Sequence, residues 1–142
     1  MKKNICFFVI LIITSLLLEG CCSSCRFRRT HSLALESTTW RLCRIAGENI
    51  QPFEESFVIV MENGNIHGTA LCNKIIGTYT LEGSAILFSN VASTKMLCPN
   101  DDGLEARFLE KLSQVTHYDV DYRNLMFLSK GAITMVFEAV NK

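Results

Sequence analysis

From Ser37 onward, apolar residues recur at every second position in short runs, the pattern of strands with one buried face. Trp40 and Leu42 alternate with Arg41 and Cys43, and Phe57, Ile59 and Met61 form a second alternating face. Asn63-Gly64 then separates two apolar runs. That dipeptide suits a type I′ hairpin, whose two central residues both need positive φ, so residues 66–71 are the predicted return strand. Further strands are predicted at 77–81 and 85–88, joined across Glu82-Gly83. Residues 115–121, 125–128 and 133–140 read as a three-strand meander, with turns at 122–124 and Lys130-Gly131. The total is about eight short strands.

One segment changes period. Leu104, Phe108 and Leu112 recur every four residues, while Glu105, Arg107, Glu110 and Lys111 fall on other faces, which predicts an amphipathic helix. Pro99 and Asn100 precede it, and Asp102 with Glu105 three residues later suits a capping box. Asp101 and Asp102 also favour the positive end of the helix dipole. A calcium site built from Asp101, Asp102 and Glu105 is the alternative to capping, and capping is the preferred reading. An antiparallel sheet of this many strands must close or be covered to hide its edges. The predicted fold is therefore mainly β, a small antiparallel barrel with one α-helix inserted before the last three strands and plugging an open end.

The first twenty residues follow a different rule. Lys2 and Lys3 give a basic start, and a nearly unbroken apolar run extends from Ile5 to Leu18. The run is shorter than the roughly 20 residues that span a bilayer core, so it fits a cleaved secretory signal better than a permanent anchor. It ends in Leu18-Glu19-Gly20-Cys21, which resembles the lipobox of bacterial lipoproteins with Cys21 as the lipidated residue. Glu19 departs from the small uncharged residue usual there, and the arginines at 26, 28 and 29 can oppose translocation, so an uncleaved signal anchor is the rival reading. The two or three acyl chains of such lipoproteins would hold the protein stably, since one chain alone binds only marginally. The expected layout is a signal peptide over 1–20, a flexible tether over 21–36 and a domain over 37–142.

Composition adds limits. Residues 37–142 leave about 105 positions for one core. The 49% hydrophobic content is inflated by the leader. Fourteen basic and fourteen acidic residues balance to a formal net charge of zero, which argues against a nucleic-acid partner. The tether arginines could touch anionic headgroups, although a solvated spacer is the simpler reading. Seven cysteines are many for this length. With Cys6 in the leader and Cys21 acylated, Cys22, Cys25, Cys43, Cys72 and Cys98 would meet an oxidising compartment, where an odd number leaves one thiol unpaired. Cys22-Ser23-Ser24-Cys25 has the spacing of a redox or zinc half-site, but no second pair follows, and these read as surplus tether cysteines. Cys43, on the outward phase of the first strand, is expected to stay free. His31, His67 and His117 are scattered and form no metal or triad pattern. No phosphate-cradling loop or nucleophile elbow is present, so no catalytic residue, metal or cofactor is assigned.

Four short motifs, in order, resemble the META domain, also called the HslJ-like domain, of bacterial envelope lipoproteins. Trp40-x-Leu42 matches its opening strand. Gly68-x-x-x-Cys72-Asn73, followed by Gly77-Thr78-Tyr79, matches its central elements. Thr94-Lys95-Met96-Leu97-Cys98-Pro99 matches its Thr-x-Met-x-Cys element, and Glu105, Phe108 and Leu112 match its helix. Leu71 replaces the glycine usual before the cysteine.

The resemblance implies a lipocalin-like barrel and no established reaction; members are associated with heat shock, envelope stress and drug tolerance. A structural likeness to pilot lipoproteins of secretion systems suggests partner binding. The family pattern also places Cys72 and Cys98 together, which implies a disulfide between them. Asn73, Gly77, Thr94 and Met96 are the candidate motif-loop residues, with Asn73 and Thr94 expected to bond their own local backbone and Met96 expected to plug the core; the alternative is a ligand or partner surface at the same loops with Met96 as an exposed contact. The expected protein is a non-enzymatic, monomeric, lipid-anchored component of the bacterial envelope, at the outer membrane, that binds a protein partner or serves in envelope stress. The alternative is a carrier of a small apolar ligand inside the barrel. The large inward residues Trp40, Phe57, Met61, Tyr79, Phe88, Phe108, Phe127 and Phe137 favour the first.

Overall fold

The computed structural model describes residues 33–51, 56–99 and 101–140. The leader, Cys21, Cys22, Cys25, the tether arginines and His31 lie outside the described residues. Among the described residues, no helix is long and apolar enough to cross a membrane.

Among the described residues, nine strands and one helix follow one another: β1 Thr39–Ile45, β2 Glu48–Asn49, β3 Val58–Glu62, β4 Asn65–Ala70, β5 Asn73–Glu82, β6 Ala85–Ser93, α1 Leu104–Ser113, β7 His117–Asp121, β8 Asn124–Ser129 and β9 Ala132–Ala139. All pairings are antiparallel. β1 pairs with both β3 and β9, so the sheet closes into a barrel-like ring in the order β1-β3-β4-β5-β6-β7-β8-β9. The ring has the eight strands expected, and β2 is a two-residue ribbon on the end of β1. The ring is thinnest between β6 and β7, which share the single pair Ala85↔His117. The chain leaves the far end of β6 and returns to β7 through α1, as the sequence predicts.

The β3–β4 hairpin shows why these residues fold as they do. Asn63 and Gly64 take φ of 50° and 76°, the left-handed pair that a type I′ turn needs. The turn sets the register Glu62↔Asn65 through Val58↔Thr69, which puts Ile59, Met61, Ile66 and Ala70 on the inner face. Gly68 lies opposite Ile59, where the two backbones approach so closely that a Cβ would sit 2.0 Å from the Val58 carbonyl oxygen. Here glycine is a steric requirement.

The interior is filled. Trp40, Phe57, Phe108, Phe127 and Phe137 are fully buried, and Phe88 is half-buried against them. Edge-to-face ring contacts run from Tyr79 through Phe88, Phe127, Phe137 and Phe108 to Phe57, with centroids 5.2–6.4 Å apart. Each such ring contributes roughly 1.5–3 kcal/mol through burial, and edge-to-face contacts add about 1 kcal/mol apiece. The Trp40 indole N–H donates to the Leu35 carbonyl at 2.9 Å, so the only tryptophan is satisfied as well as buried. Among the described residues, the buried core includes Leu35, two residues ahead of Ser37.

The helix does plug the ring, but by a different face from the one read. Its buried residues are Glu105, Phe108 and Leu112, while Leu104 is half-exposed. The expected capping box is not formed. The N-cap is Gly103, with no side-chain cap bond, and Glu105 turns inward instead. Asp101 Oδ1 accepts from the Gly103 N–H at 2.9 Å, and Asp102 Oδ1 from the Leu104 N–H at 3.3 Å. The three carboxylates of the calcium alternative serve separate partners, and among the described residues they form no group placed to hold a metal ion.

Candidate functional site

Three pieces of chain meet at the helix end of the ring: the turn at Leu71-Cys72, the loop 94–99, and the first turn of α1. Cys72 and Cys98 form a disulfide with Cα atoms 5.7 Å apart, and both are half-buried. The pairing implied by the family resemblance is present, and Cys43 is the free cysteine among the described residues. The bond closes a separation of 26 residues, which on the chain-entropy model contributes about 3.5 kcal/mol. Leu71 has φ of 20°. Glycine would adopt that backbone freely, so the family's usual residue there has a local reason.

Asn73 is the hub. It is buried, and its bonds reach 21 to 32 residues along the chain instead of its own backbone, contrary to the sequence reading. Its Oδ1 accepts from the Thr94 hydroxyl at 2.7 Å and the Met96 N–H at 2.8 Å. Its Nδ2 donates to the Met96 carbonyl at 3.1 Å and to both Glu105 carboxylate oxygens at 3.0 Å, and lies 3.3 Å from Cys98 Sγ. Thr94 Oγ1 in turn accepts from the Lys74 N–H at 3.0 Å, and the Thr94 N–H donates to the Lys74 carbonyl at 3.0 Å. One amide side chain therefore fixes the backbone of the loop at two points and anchors it to the helix.

Glu105 is the residue that sequence reasoning misplaced. It is 8% exposed, bonded by Asn73 and approached by Ser93 Oγ at 3.4 Å. The ion pairs described, Arg107–Glu48 and Lys111–Glu110, do not include it. The signal was its phase: 105, 108 and 112 share one helix face, so a carboxylate there points where Phe108 and Leu112 point.

The other candidates separate from this hub. Gly77, read both as the start of a strand and as a motif-loop residue, lies inside β5 opposite the bulge at Asn90, where a Cβ would crowd Val91 and Ile66 at 3.1–3.2 Å. Met96 does not plug the core. It is 58% exposed, and Leu97 beside it is 101% exposed. The loop is thus held through the Met96 backbone and is apolar and exposed at its tip.

Two titratable groups away from the hub are perturbed. Burial, with help from the hydrogen bond to Glu36, pushes the Tyr79 phenol up to about 12. Burial also raises the Cys43 thiol, which donates to the Val136 carbonyl at 3.2 Å. His67 and His117 are exposed, and among the described residues no group of three or more His, Cys, Asp or Glu is placed to hold a metal ion.

A closed antiparallel ring with one plugging helix and a disulfide-braced loop defines a compact β module. The chain belongs to the META domain family, whose pattern matches residues 33–141. Solved structures share the fold. A protein from Burkholderia xenovorans, determined by NMR, superposes with a TM-score of 0.62 at 19% identity, covering 76% of this chain and 85% of that one. A DUF4847 family protein from Bacteroides vulgatus, determined by crystallography, gives 0.57 at 20% identity, covering 76% and 95%. No curated protein matches the sequence significantly.

Proposed function

We propose that this protein is a non-catalytic, lipid-anchored component of the bacterial envelope whose META domain docks a partner protein through the loop 94–99. The observation that carries this reading is the pairing of an apolar, exposed tip at Met96 and Leu97 with a buried hub that rigidifies it. Fixing a loop before binding removes the ordering cost that association otherwise incurs. The polar groups of the hub are satisfied by one another, which supports a structural use for them over a chemical one. The filled interior favours a surface role over a carrier role. Support for the anchor comes from the leader and Cys21; envelope stress is the setting that the family resemblance suggests.

The test is cross-linking of the full chain in its native envelope. Met96→Ser with Leu97→Ser should remove specific cross-links while changing stability by less than about 0.5 kcal/mol, because both side chains are already in solvent. Cross-links that persist in the double variant would rule out the loop as the docking site. Metabolic labelling with a fatty-acid analogue should mark the wild type and be lost in Cys21→Ala; equal labelling would remove the anchor from the proposal.

A further inference from the structure

The brace that holds the loop has an unusual neighbour. Glu105 Oε2 lies 3.6 Å from Cys98 Sγ, and the sulfur, being oxidised, has no proton to offer it. The carboxylate is 8% exposed, and its donors are the Asn73 amide and the Ser93 hydroxyl, with no cation in the ion pairs described. A buried carboxylate thus sits against a half-buried disulfide.

We infer that Glu105 is an electrostatic guard of the Cys72–Cys98 bond, selecting against anionic thiols such as glutathione and against any product that leaves Cys98 as a thiolate. The exchange chemistry makes the charge matter on either route. An incoming thiolate attacks one sulfur along the S–S axis, that bond breaks, and its electron pair departs on the other sulfur. Attack at Cys72 yields a mixed disulfide there and a Cys98 thiolate beside the Glu105 carboxylate. Attack at Cys98 brings the incoming anion itself to that carboxylate. A second thiolate then resolves the mixed disulfide. Two small thiols are oxidised to one disulfide, two electrons pass to the protein, and the protons the thiols shed end on Cys72 and Cys98. Like charges a few ångströms apart, partly shielded from water, oppose both the incoming and the leaving species. The inference concerns the bond itself and stands whether or not the loop docks a partner.

The experiment measures the rate of opening of this one disulfide in the full chain, in neutral detergent. Opening is quenched by alkylation and read by mass on the Cys72 and Cys98 peptides, so that the other cysteines do not interfere. Two monothiols are compared: cysteamine, which is cationic, and 3-mercaptopropionate, which is anionic. In the wild type, the ratio of their thiolate rate constants should favour cysteamine. Glu105→Gln, which keeps the shape and one acceptor for Asn73, should lower that ratio by roughly five- to tenfold at low ionic strength. A variant that merely loosens the loop would speed both thiols alike and leave the ratio unchanged, and that outcome overturns the inference.

The wild type gives an independent check should Glu105→Gln not fold. At low ionic strength its ratio should favour cysteamine, because the Glu105 carboxylate stands 3.6 Å from Cys98 Sγ. A wild-type ratio that does not favour cysteamine also overturns it.

Discussion

Replacing Asn73 should disable the braced loop more than any exposed change could, and its size can be worked out. Asn73→Ala deletes an acceptor for the Thr94 hydroxyl and the Met96 N–H, and a donor to the Met96 carbonyl and the Glu105 carboxylate. Met96 and Thr94 are on the exposed side of the loop, so their groups can turn to water, and together they cost about 1 kcal/mol. Glu105 cannot do so. A buried carboxylate that loses its amide donor costs about 2 kcal/mol, giving about 3 kcal/mol in all. Urea denaturation should show the midpoint falling by about 2 M at unchanged slope for a domain of this size.

A sharper contrast comes from Asn73→Asp. It is nearly isosteric but replaces the donor with an oxygen about 3.0 Å from the Glu105 carboxylate, so it should destabilise more than alanine does. Adding Glu105→Gln to Asn73→Asp should restore a large part of the loss, because the repulsion needs both charges. If Asn73→Ala costs under about 1 kcal/mol, or if Asp is tolerated better than Ala, the Asn73–Glu105 bond does not organise this site.

Tyr79 gives a pH-dependent prediction. Its phenol is held neutral up to about 12 by burial and by Glu36, so the folded state keeps a proton that the unfolded chain, with a phenol near 10, releases first. Stability should therefore be full below about pH 10 and fall as pH rises toward 12. Tyr79→Phe should flatten that fall, and an unchanged profile would refute the assignment. Gly68→Ala should be among the most damaging conservative changes in the chain, at least about 3 kcal/mol by thermal or urea unfolding, because its Cβ meets fixed backbone 2.0 Å away. A mild effect would mean that β3 and β4 separate easily at that point.

What the sequence made legible was whatever depends on neighbours along the chain. Asn63-Gly64 specifies its own turn, and Trp40-x-Leu42 specifies which face of β1 is buried, because both rules act over two to four residues. β2 was not legible: two exposed residues, Glu48 and Asn49, have no alternation to display. The extents of β5 and β6 were under-read for a related reason. Ile75 is buried while Ile76 beside it is 63% exposed, so the apolar pair hides the alternation, and the bulge opposite Gly77 breaks the period in β6.

The hub was illegible for a deeper reason. Asn73 and Glu105 are each read by local rules as solvent-seeking, one as a turn residue and the other as a capping acid. Only when the ring closes do residues 32 apart become hydrogen-bond partners, and burial then changes what each one is for. A polar residue on an apolar phase, such as Glu105 in register with Phe108 and Leu112, is the one local trace of such a partnership. It predicts that a partner exists without predicting which, since the partner is chosen by topology. The same closure gives Asn73 its leverage. A residue at the start of β5 governs a loop beyond β6 only because strand pairing has already set Lys74 against Thr94.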